Sequence, residues 1–410
     1  MSYFRKYRGD LLILLLLPIF WLSYLIPRDR NIWAFGSNLG NTFASNPKYF
    51  YLYVSNNHSD TIKPIWISRK KAIIDSLNKM GLKGYYLFSF KGFYYALRSG
   101  VYIFDHHRKD ISFLLSGRSI KINLFHGIPL KKISYDNKFD EVRNPSTLFK
   151  KIIGSIRRLQ NERTDHYYLA TSETVAEIFV SAFKSSYSKM IICGYPRNDI
   201  FFNDSLNISM YLVANDGNLY TQLEQEKNIC GKKIITYMPT HRATEAQILE
   251  IIDFNKLDTF LESKNATLLI KAHPYSNIKN FLEKLSYKNI RVLSAAADPY
   301  PFLKISDVLI TDYSSVYFDF LLKNKSIIFF SYDIEEYKAQ SREIYYDYDS
   351  VTPGPKVSTM GELIDSIREC LDGVDEFKLD RDRLIGKFYS STEGNASETL
   401  FNKVINIVNN

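Results

Sequence analysis

The sequence predicts an α/β chain folded as two doubly wound domains, each a parallel sheet covered by helices on both faces. Three observations carry this. Short, almost wholly apolar runs alternate with amphipathic stretches along most of the chain, as strands buried on both faces do. The series falls into two parts, separated by a polar stretch at 203–227 that carries a helix of its own. A length of 410 residues is long for one core and comfortable for two.

Taken in order, residues 11–26 come first, a run of sixteen residues without a charge. Arg5, Lys6 and Arg8 precede it, and Arg28, Asp29 and Arg30 follow. At ~1.5 Å per residue such a helix reaches roughly 24 Å, short of the ~30 Å hydrocarbon core. Pro18 would also bend it. Basic flanks suit a segment that dips into one leaflet or barely spans it. A cleaved signal peptide and a buried core helix are the other readings, the first weakened by the lack of a small-x-small cleavage site.

The first series of strands is expected at 32–35, 62–67, 84–88, 101–104, 120–125, 167–170 and 189–193. Helices such as 70–80, 146–159 and 174–183 lie between them. The second series is expected at 233–237, 266–270, 290–293, 308–310 and 326–330. The organisation is therefore an N-terminal membrane-associating segment at 1–30, a domain at 31–205, a second at 206–390 and a C-terminal helix at 391–410. No internal repeat or low-complexity tract is present.

Composition narrows the class. Hydrophobic content of 45% and charged content of 24% are those of a globular protein. Lys and Arg outnumber Asp and Glu by 53 to 44, giving +9. That balance suits nucleic acid, an anionic lipid surface or phosphate-bearing substrates. Nucleic acid is set aside, since no zinc-finger spacing, RNP-type strand or long basic helix occurs. Cys193, Cys230 and Cys370 are far apart, which fits reduced, buried thiols and neither a disulfide scaffold nor a zinc site.

Ligands of doubly wound folds gather at the carboxyl ends of strands, so the polar residues there are where chemistry is sought. His126 leaves a strand and is followed by Gly127, Ile128, Pro129, Leu130, Lys131 and Lys132. Gly127 permits an unusual backbone, and Pro129 stiffens the turn. A histidine fixed there has the pKa of a general base, or it simply bonds its own loop; both readings stay open. Pro239, Thr240, His241 and Arg242 follow another strand, and Arg242 offers a planar fork of donors suited to a diphosphate or a surface ion pair. Lys271-Ala272-His273-Pro274 repeats the strand-then-histidine arrangement. Residues 306–315 run from a strand through Thr311, Asp312, Tyr313, Ser314 and Ser315 into a helix beginning near Val316. Such a turn is a capped helix start and also a ready phosphate site. If the sheet is parallel, Arg242, His273 and the Ser314/Ser315 turn converge on one edge and make a diphosphate pocket.

These segments resemble the CDP-glycerol glycerophosphotransferase family, the wall teichoic acid primases and polymerases and related capsule polymerases. The matching pieces are His126 to Lys131, Gly194-Tyr195-Pro196-Arg197-Asn198-Asp199, Met238-Pro239-Thr240-His241-Arg242, His273-Pro274-Tyr275 and residues 307–315. Tyr332-Asp333, Tyr337, Asp347-Tyr348, Pro353-Gly354-Pro355 and Glu393-Gly394-Asn395-Ala396-Ser397 continue the match from about residue 31 to the C-terminus. Ile128, His241 and Lys271 depart from the family's usual Thr, apolar residue and Arg.

The resemblance implies a GT-B-type fold of two Rossmann-like domains facing a cleft. The acceptor would bind in the N-terminal half and the donor in the C-terminal half. It implies that His126 is the base that deprotonates the acceptor hydroxyl, with His273 a second catalytic histidine that also touches the donor. Arg242, His273, Ser314 and Ser315 would hold the donor diphosphate, and Pro239, Thr240, Thr311 and Asp312 would shape that pocket. Gly127, Lys131 and Arg197 would position the acceptor or the loop. The implied reaction passes glycerol phosphate or ribitol phosphate from a CDP-polyol to a polyprenyl-diphosphate-linked or polymeric acceptor and releases CMP. The nearest alternative is a GT-B glycosyltransferase using a nucleotide sugar. The expected location is the cytoplasmic side of the cell membrane, peripheral or monotopic, with a homo-oligomer left open.

No cofactor or metal is expected. Asp347-Tyr348-Asp349 and Asp380-Arg381-Asp382 spell D-x-D, the metal signature of a different glycosyltransferase fold, yet neither follows a strand in a nucleotide-binding context. His106-His107 beside Asp105 could be a metal pair, but no third ligand spacing supports it.

Overall fold

The computed structural model describes residues 2–140, 142–161, 165–204, 207–212, 214–240, 251–271, 287–294, 296–334 and 343–410. Apolar runs become strands wherever the sequence places them. Strands β1 (Asp29–Phe35), β2 (Lys63–Ser68), β3 (Gly84–Tyr86), β4 (Ser99–Phe104), β5 (Ile120–Asn123), β6 (Tyr167–Ala170) and β7 (Met190–Ile192) form one sheet in the order β3-β2-β1-β4-β5-β6-β7. Every pairing in it is parallel. Strands β8 (Lys233–Met238), β9 (Ala266–Ile270), β10 (Ile290–Val292), β11 (Val308–Thr311), β12 (Ser326–Phe330) and β13 (Lys356–Val357) form a second, also parallel, in the order β10-β9-β8-β11-β12-β13. The two-residue β13 is too short to carry a periodic signal.

Strand order reverses direction between β1 and β4 in the first sheet and between β8 and β11 in the second. At such a point the flanking connections leave to opposite faces and open a crevice at the carboxyl ends of the two central strands. Phe35 pairs with Ile103 there, and Thr311 with Met238.

The chain divides into two compact units. One comprises Met1–His126, Lys132–Asp199 and Phe388–Asn410; the other comprises Gly127–Lys131 and Ile200–Lys387. The chain thus passes from the first to the second unit at the His126–Gly127 bond. Within the second unit, residues 127–131 are held by a bridge between Lys131 and Ile344 and by the Tyr345 amide, which donates to the Leu130 carbonyl at 2.9 Å.

The apolar N-terminal segment is a helix, Ser2–Leu22, which continues through Pro18. Among the described residues no helix is long and apolar enough to cross a membrane. Its C-terminal end is part of the first unit. Phe20 is fully buried, stacked 4.5 Å from the Phe113 ring, with the Arg108 guanidinium 5.3 Å from its centroid. Arg108 itself donates to the last carbonyls of the helix Leu148–Asn161, where a cation is favoured by the helix dipole. Ser23 Oγ accepts from the Gly117 amide at 3.0 Å, and Arg28 donates to the Leu115 carbonyl at 2.8 Å. Residues 20–28 are therefore no detachable tail. The opposite face of the helix is open, with Leu12, Leu14, Leu15, Ile19, Trp21 and Leu22 all exposed, followed by Leu25 at 74%.

The C-terminal helix, Ala396–Asn409, packs into the first unit. Phe401 lies 5.5 Å from Trp33 and stacks on His58, while Arg30 donates to the Val408 carbonyl at 2.7 Å. Its first amides, Ala396 N and Ser397 N, donate to the Asp199 carboxylate at 2.8 Å each. Two segments far apart in the sequence, 194–199 and 393–397, meet through that contact. The thiols are free, as expected, but only Cys193 is buried; Cys230 ends a helix and is exposed.

Candidate active site

Strand β5 ends at Asn123, and three residues later stands His126. The chain reaches it through a backbone that most side chains avoid. Phe125 has φ 51°, a left-handed conformation that costs of order 1–3 kcal/mol and persists only where neighbours enforce it. The neighbours are identifiable. Asn123 Oδ1 accepts from the Phe125 amide at 2.9 Å, and the buried Asn46 amide group donates to the Phe125 carbonyl at 2.9 Å and the Leu124 carbonyl at 3.2 Å. Arg197, itself buried, donates to the His126 carbonyl at 2.9 Å and to Ser45 Oγ at 3.3 Å. Positive φ also recurs at Asn38, Leu39 and Ser45. Strained residues thus cluster at the first sheet's reversal point.

The His126 ring is solvent-exposed. Its Nδ1 lies 3.3 Å from the main-chain carbonyl of Asp105, which can only accept, so Nδ1 carries the proton and Nε2 keeps its lone pair. Asp105 is the first residue after β4. Its carboxylate, fully buried, accepts from Ser37 Oγ at 2.9 Å and from His106 Nδ1 at 2.8 Å. The His106 ring lies flat against that of His126, centroids 4.3 Å apart and planes within 4°. Asp110 closes the loop, its carboxylate accepting from the amides of Leu39, His106 and His107. Gly36 at the end of β1 leaves room for this loop; a Cβ there would stand 2.5 Å from the Asp110 carbonyl oxygen.

The electrostatics follow from the arrangement. The enclosing protein, and then the neighbouring His106, push the His126 pKa down towards about 4, against the pull of Asp105. Burial also opposes charge on His106, but the bond to Asp105 and that carboxylate's charge outweigh it, and the net shift is upward. Asp105 is held below its ordinary range, because His106, His126 and Ser37 outweigh its burial.

Asp105, His106 and Asp110 bring one donor atom each within 4.8 Å of one another. Every oxygen of the two carboxylates already accepts a protein hydrogen bond, so the trio is built as a hydrogen-bonded hub. The two D-x-D runs are likewise engaged. Asp347 caps a short helix through the Ser350 amide, Asp349 pairs with Lys356, Asp380 with Arg383, and Asp382 accepts from Asn324.

At the second reversal point, between β8 and β11, Asp312 is fully buried. Both its oxygens lie 3.0 Å from the Thr240 amide, and it also accepts from Thr240 Oγ1 and the Tyr313 amide. Thr311 Oγ1 donates to the Met238 carbonyl at 2.9 Å, and Tyr348 OH to the Asp312 carbonyl at 3.2 Å. The loop carrying Pro239 and Thr240 is thereby tied to the strand that delivers the serines. Ser314 and Ser315 are partly exposed where their neighbours are buried; Ser314 Oγ accepts from the Val316 amide at 3.4 Å, at the start of the helix Val316–Leu321.

Of the residues singled out in the sequence, Thr240, Pro239, Thr311, Asp312, Ser314 and Ser315 are brought together by the second sheet. His126 and Arg197 are brought together in the first unit. Gly127 and Lys131 follow on, grouped with the second unit. Arg242 and His273 lie outside the described residues. In the sequence His106-His107 beside Asp105 reads only as an unsupported metal pair, and the role of Asp105 and His106 beside His126 is missed, although the strand end that carries them is the available signal.

A family model, CDP-Glycerol:Poly(glycerophosphate) glycerophosphotransferase, matches residues 19–406. The chain is 29% identical over 416 residues to a teichoic acid poly(glycerol phosphate) polymerase of Bacillus subtilis (strain 168), covering 97% of this chain and 52% of that one. It therefore spans about half the length of that relative. It is 29% identical to a teichoic acid glycerol-phosphate transferase of Staphylococcus aureus (strain NCTC 8325 / PS 47), covering 91% of this chain and 92% of the other. Among solved structures, the wall teichoic acid polymerase TagF superposes with a TM-score of 0.75 at 24% identity, covering 100% of this chain and 98% of that one. That likeness bears out the GT-B-type fold class, and the match along nearly the whole sequence places the chain in the CDP-Glycerol:Poly(glycerophosphate) glycerophosphotransferase family.

Proposed function

We propose that the chain transfers glycerol phosphate from CDP-glycerol to a hydroxyl of a teichoic-acid-type acceptor, polymeric or lipid-linked, and releases CMP. The observation that carries this reading is His126, an exposed residue just beyond a strand end whose Nδ1 is committed to a carbonyl, which leaves Nε2 as the proton acceptor. The acceptor hydroxyl gives its proton to Nε2 as its oxygen forms a bond to the phosphorus that bears the glycerol. The phosphorus–oxygen bond to CMP breaks, and CMP departs with that electron pair. Thr240, Ser314 and Ser315, held around Asp312, line the donor side, with Arg242 and His273 assigned to the diphosphate from the sequence. Gly127 and Lys131 are assigned to the acceptor, and Arg197 acts as the support of the His126 loop. As written, the reaction needs no metal, because the charge is met by these donors.

Donor choice tests the reading. Purified chain is incubated with CDP-glycerol, CDP-ribitol or a UDP-sugar and a lipid-linked acceptor analogue, and products are weighed by mass spectrometry. Acceptor extended by glycerol phosphate is expected; extension only by a sugar would convert the reading to glycosyl transfer.

The open face of the N-terminal helix supports docking on the cytoplasmic leaflet, where CDP-activated donors are made. Leu148, Phe149 and Ile152 are also exposed on the helix Leu148–Asn161, which packs against the N-terminal helix through Ile13. Replacing Leu15, Leu22 and Leu25 together by Gln is expected to release the chain from anionic vesicles in a sedimentation assay. Burying each leucine is worth ~1.5–3 kcal/mol, and none of the three is needed for packing. Activity on a soluble acceptor should persist. Removing residues 1–28 is the poorer test, since it takes Phe20 and Arg28 out of the first unit.

A further inference from the structure

We propose that Asp105 and His106 form a positioning pair for the base: the His106 ring fixes the plane of the His126 imidazole by stacking, while Asp105 holds His106 through its carboxylate and His126 through its main-chain carbonyl. The inference rests on the reading of His126 as the base.

A histidine ring turns readily about its outer torsion, whose wells are broad. One 3.3 Å bond to a carbonyl is a slight restraint on a solvent-exposed ring. Tilted out of its plane, His126 would lose the Nδ1–H bond to the Asp105 carbonyl that keeps Nε2 as the proton acceptor. The parallel ring 4.3 Å away prevents this, because a ring rotating out of plane would collide with it. His106 is in turn fixed by the 2.8 Å bond to a fully buried carboxylate, which Ser37 holds from the other side. A ring placed for packing alone would be buried, whereas the His106 side chain is 38% exposed. The pair also sits on the first sheet's reversal point, where a doubly wound fold places its ligand.

Parallel rings aim no N–H at one another, so His106 is not a proton relay. It acts through orientation and charge. Among the described residues, the ionisable groups facing the two rings are Asp105, Asp110 and His107 from their own loop and Arg197 from the segment after β7. Of these, Asp105 favours a proton on either ring and Arg197 opposes one on His126. A proton on His106 opposes one on His126. Removing that charge while keeping a flat ring must therefore make His126 easier to protonate, and removing the ring must free it to turn.

The test uses the full chain labelled with 13C and 15N in histidine, with His126 assigned by the signals lost in His126→Ala. Tautomer and titration of His126 are read by NMR, and kcat and KM are measured with CDP-glycerol. Wild type is expected to show the Nδ1–H tautomer. His106→Phe should keep that tautomer and most of the turnover, with the His126 titration moved upward by on the order of one pH unit. His106→Ala should lose the tautomer preference and up to about a hundredfold in kcat, with KM for CDP-glycerol unchanged. Unchanged His126 tautomer and titration in both variants, or wild-type kcat in His106→Ala, would overturn the pair. Should His106→Ala fail to fold, the titration shift in His106→Phe decides alone. Turnover retained by His126→Ala would instead overturn the base reading itself.

Discussion

His126→Ala is expected to lower turnover by ~10²–10⁴-fold while leaving CDP-glycerol affinity and the melting transition close to wild type. The side chain is exposed, its stack on His106 being a contact at the surface of the unit, and the hydrogen bonds that hold its loop go to backbone atoms: Arg197 to the His126 carbonyl, Asn46 to those of Leu124 and Phe125. Alanine keeps all of these. What is lost is the proton acceptor, together with the bond to the Asp105 carbonyl and the stack on His106. The same geometry fixes the sign of the pH dependence. His126 must be unprotonated to act, and its surroundings lower its pKa towards about 4. Solvent at the ring screens part of that shift, so kcat/KM should fall on the acid side between about 4 and the ordinary ~6.5 of histidine. An acid limb above neutrality, or an alanine variant within threefold or so of wild type, far outside the range for a lost base, would remove His126 from the chemistry.

Asp312→Asn should act on the other substrate. The carboxylate is fully buried and accepts from the Thr240 amide, the Thr240 hydroxyl and the Tyr313 amide. Asparagine matches its shape, but it turns the Oδ2 side, 3.0 Å from the Thr240 amide, into a donor facing a donor, and leaves one uncharged oxygen to serve the Thr240 amide, the Thr240 hydroxyl and the Tyr313 amide. A hydrogen bond to a charged group is worth ~1.5–3 kcal/mol, against ~0.5–1.5 kcal/mol for a neutral one. The 239–240 loop is then held less firmly to the end of β11, and the donor pocket loses its shape before its charge. A lower melting temperature is expected, together with a Kd for CDP-glycerol raised about tenfold or more, the equivalent of ~1.4 kcal/mol. At saturating donor, kcat should change much less than it does in His126→Ala. Calorimetric titration reads the affinity; an unchanged Kd in folded protein would mean that Asp312 shapes nothing the donor touches.

The sheets were legible because a strand buried on both faces must be apolar throughout, and such runs stand out between amphipathic helices. The helix Ser45–Asn57 was not. Asn46, Pro47, Lys48, Tyr49, Phe50, Tyr51, Leu52 and Val54 are all buried, so it has no polar face to set a period of 3.6. His126 could be found from its place after a strand. Of its supports, Arg197 came through the family resemblance, but Ser37, Asp105 and His106 could not be found, because they depend on which strands are neighbours. Ser37 follows β1 and Asp105 follows β4, and only the sheet order puts those ends side by side. Thr240 and Asp312 meet for the same reason, across β8 and β11. The apolar N-terminal run was legible as lipophilic, but nothing local shows that Phe20 turns inward onto Phe113 and Arg108 while Leu15, Leu22 and Leu25 face out.

The central claim is that His126 takes the proton from an acceptor hydroxyl as glycerol phosphate leaves CMP. Its most direct measurement is a single-turnover reaction with CDP-glycerol and acceptor analogue, following CMP release and acceptor mass together. Wild type should release one CMP for each glycerol phosphate gained by the acceptor, and His126→Ala, with donor still bound, should do neither at a comparable rate. CMP formed at the wild-type rate by the alanine variant, with the acceptor extended to match, would contradict it.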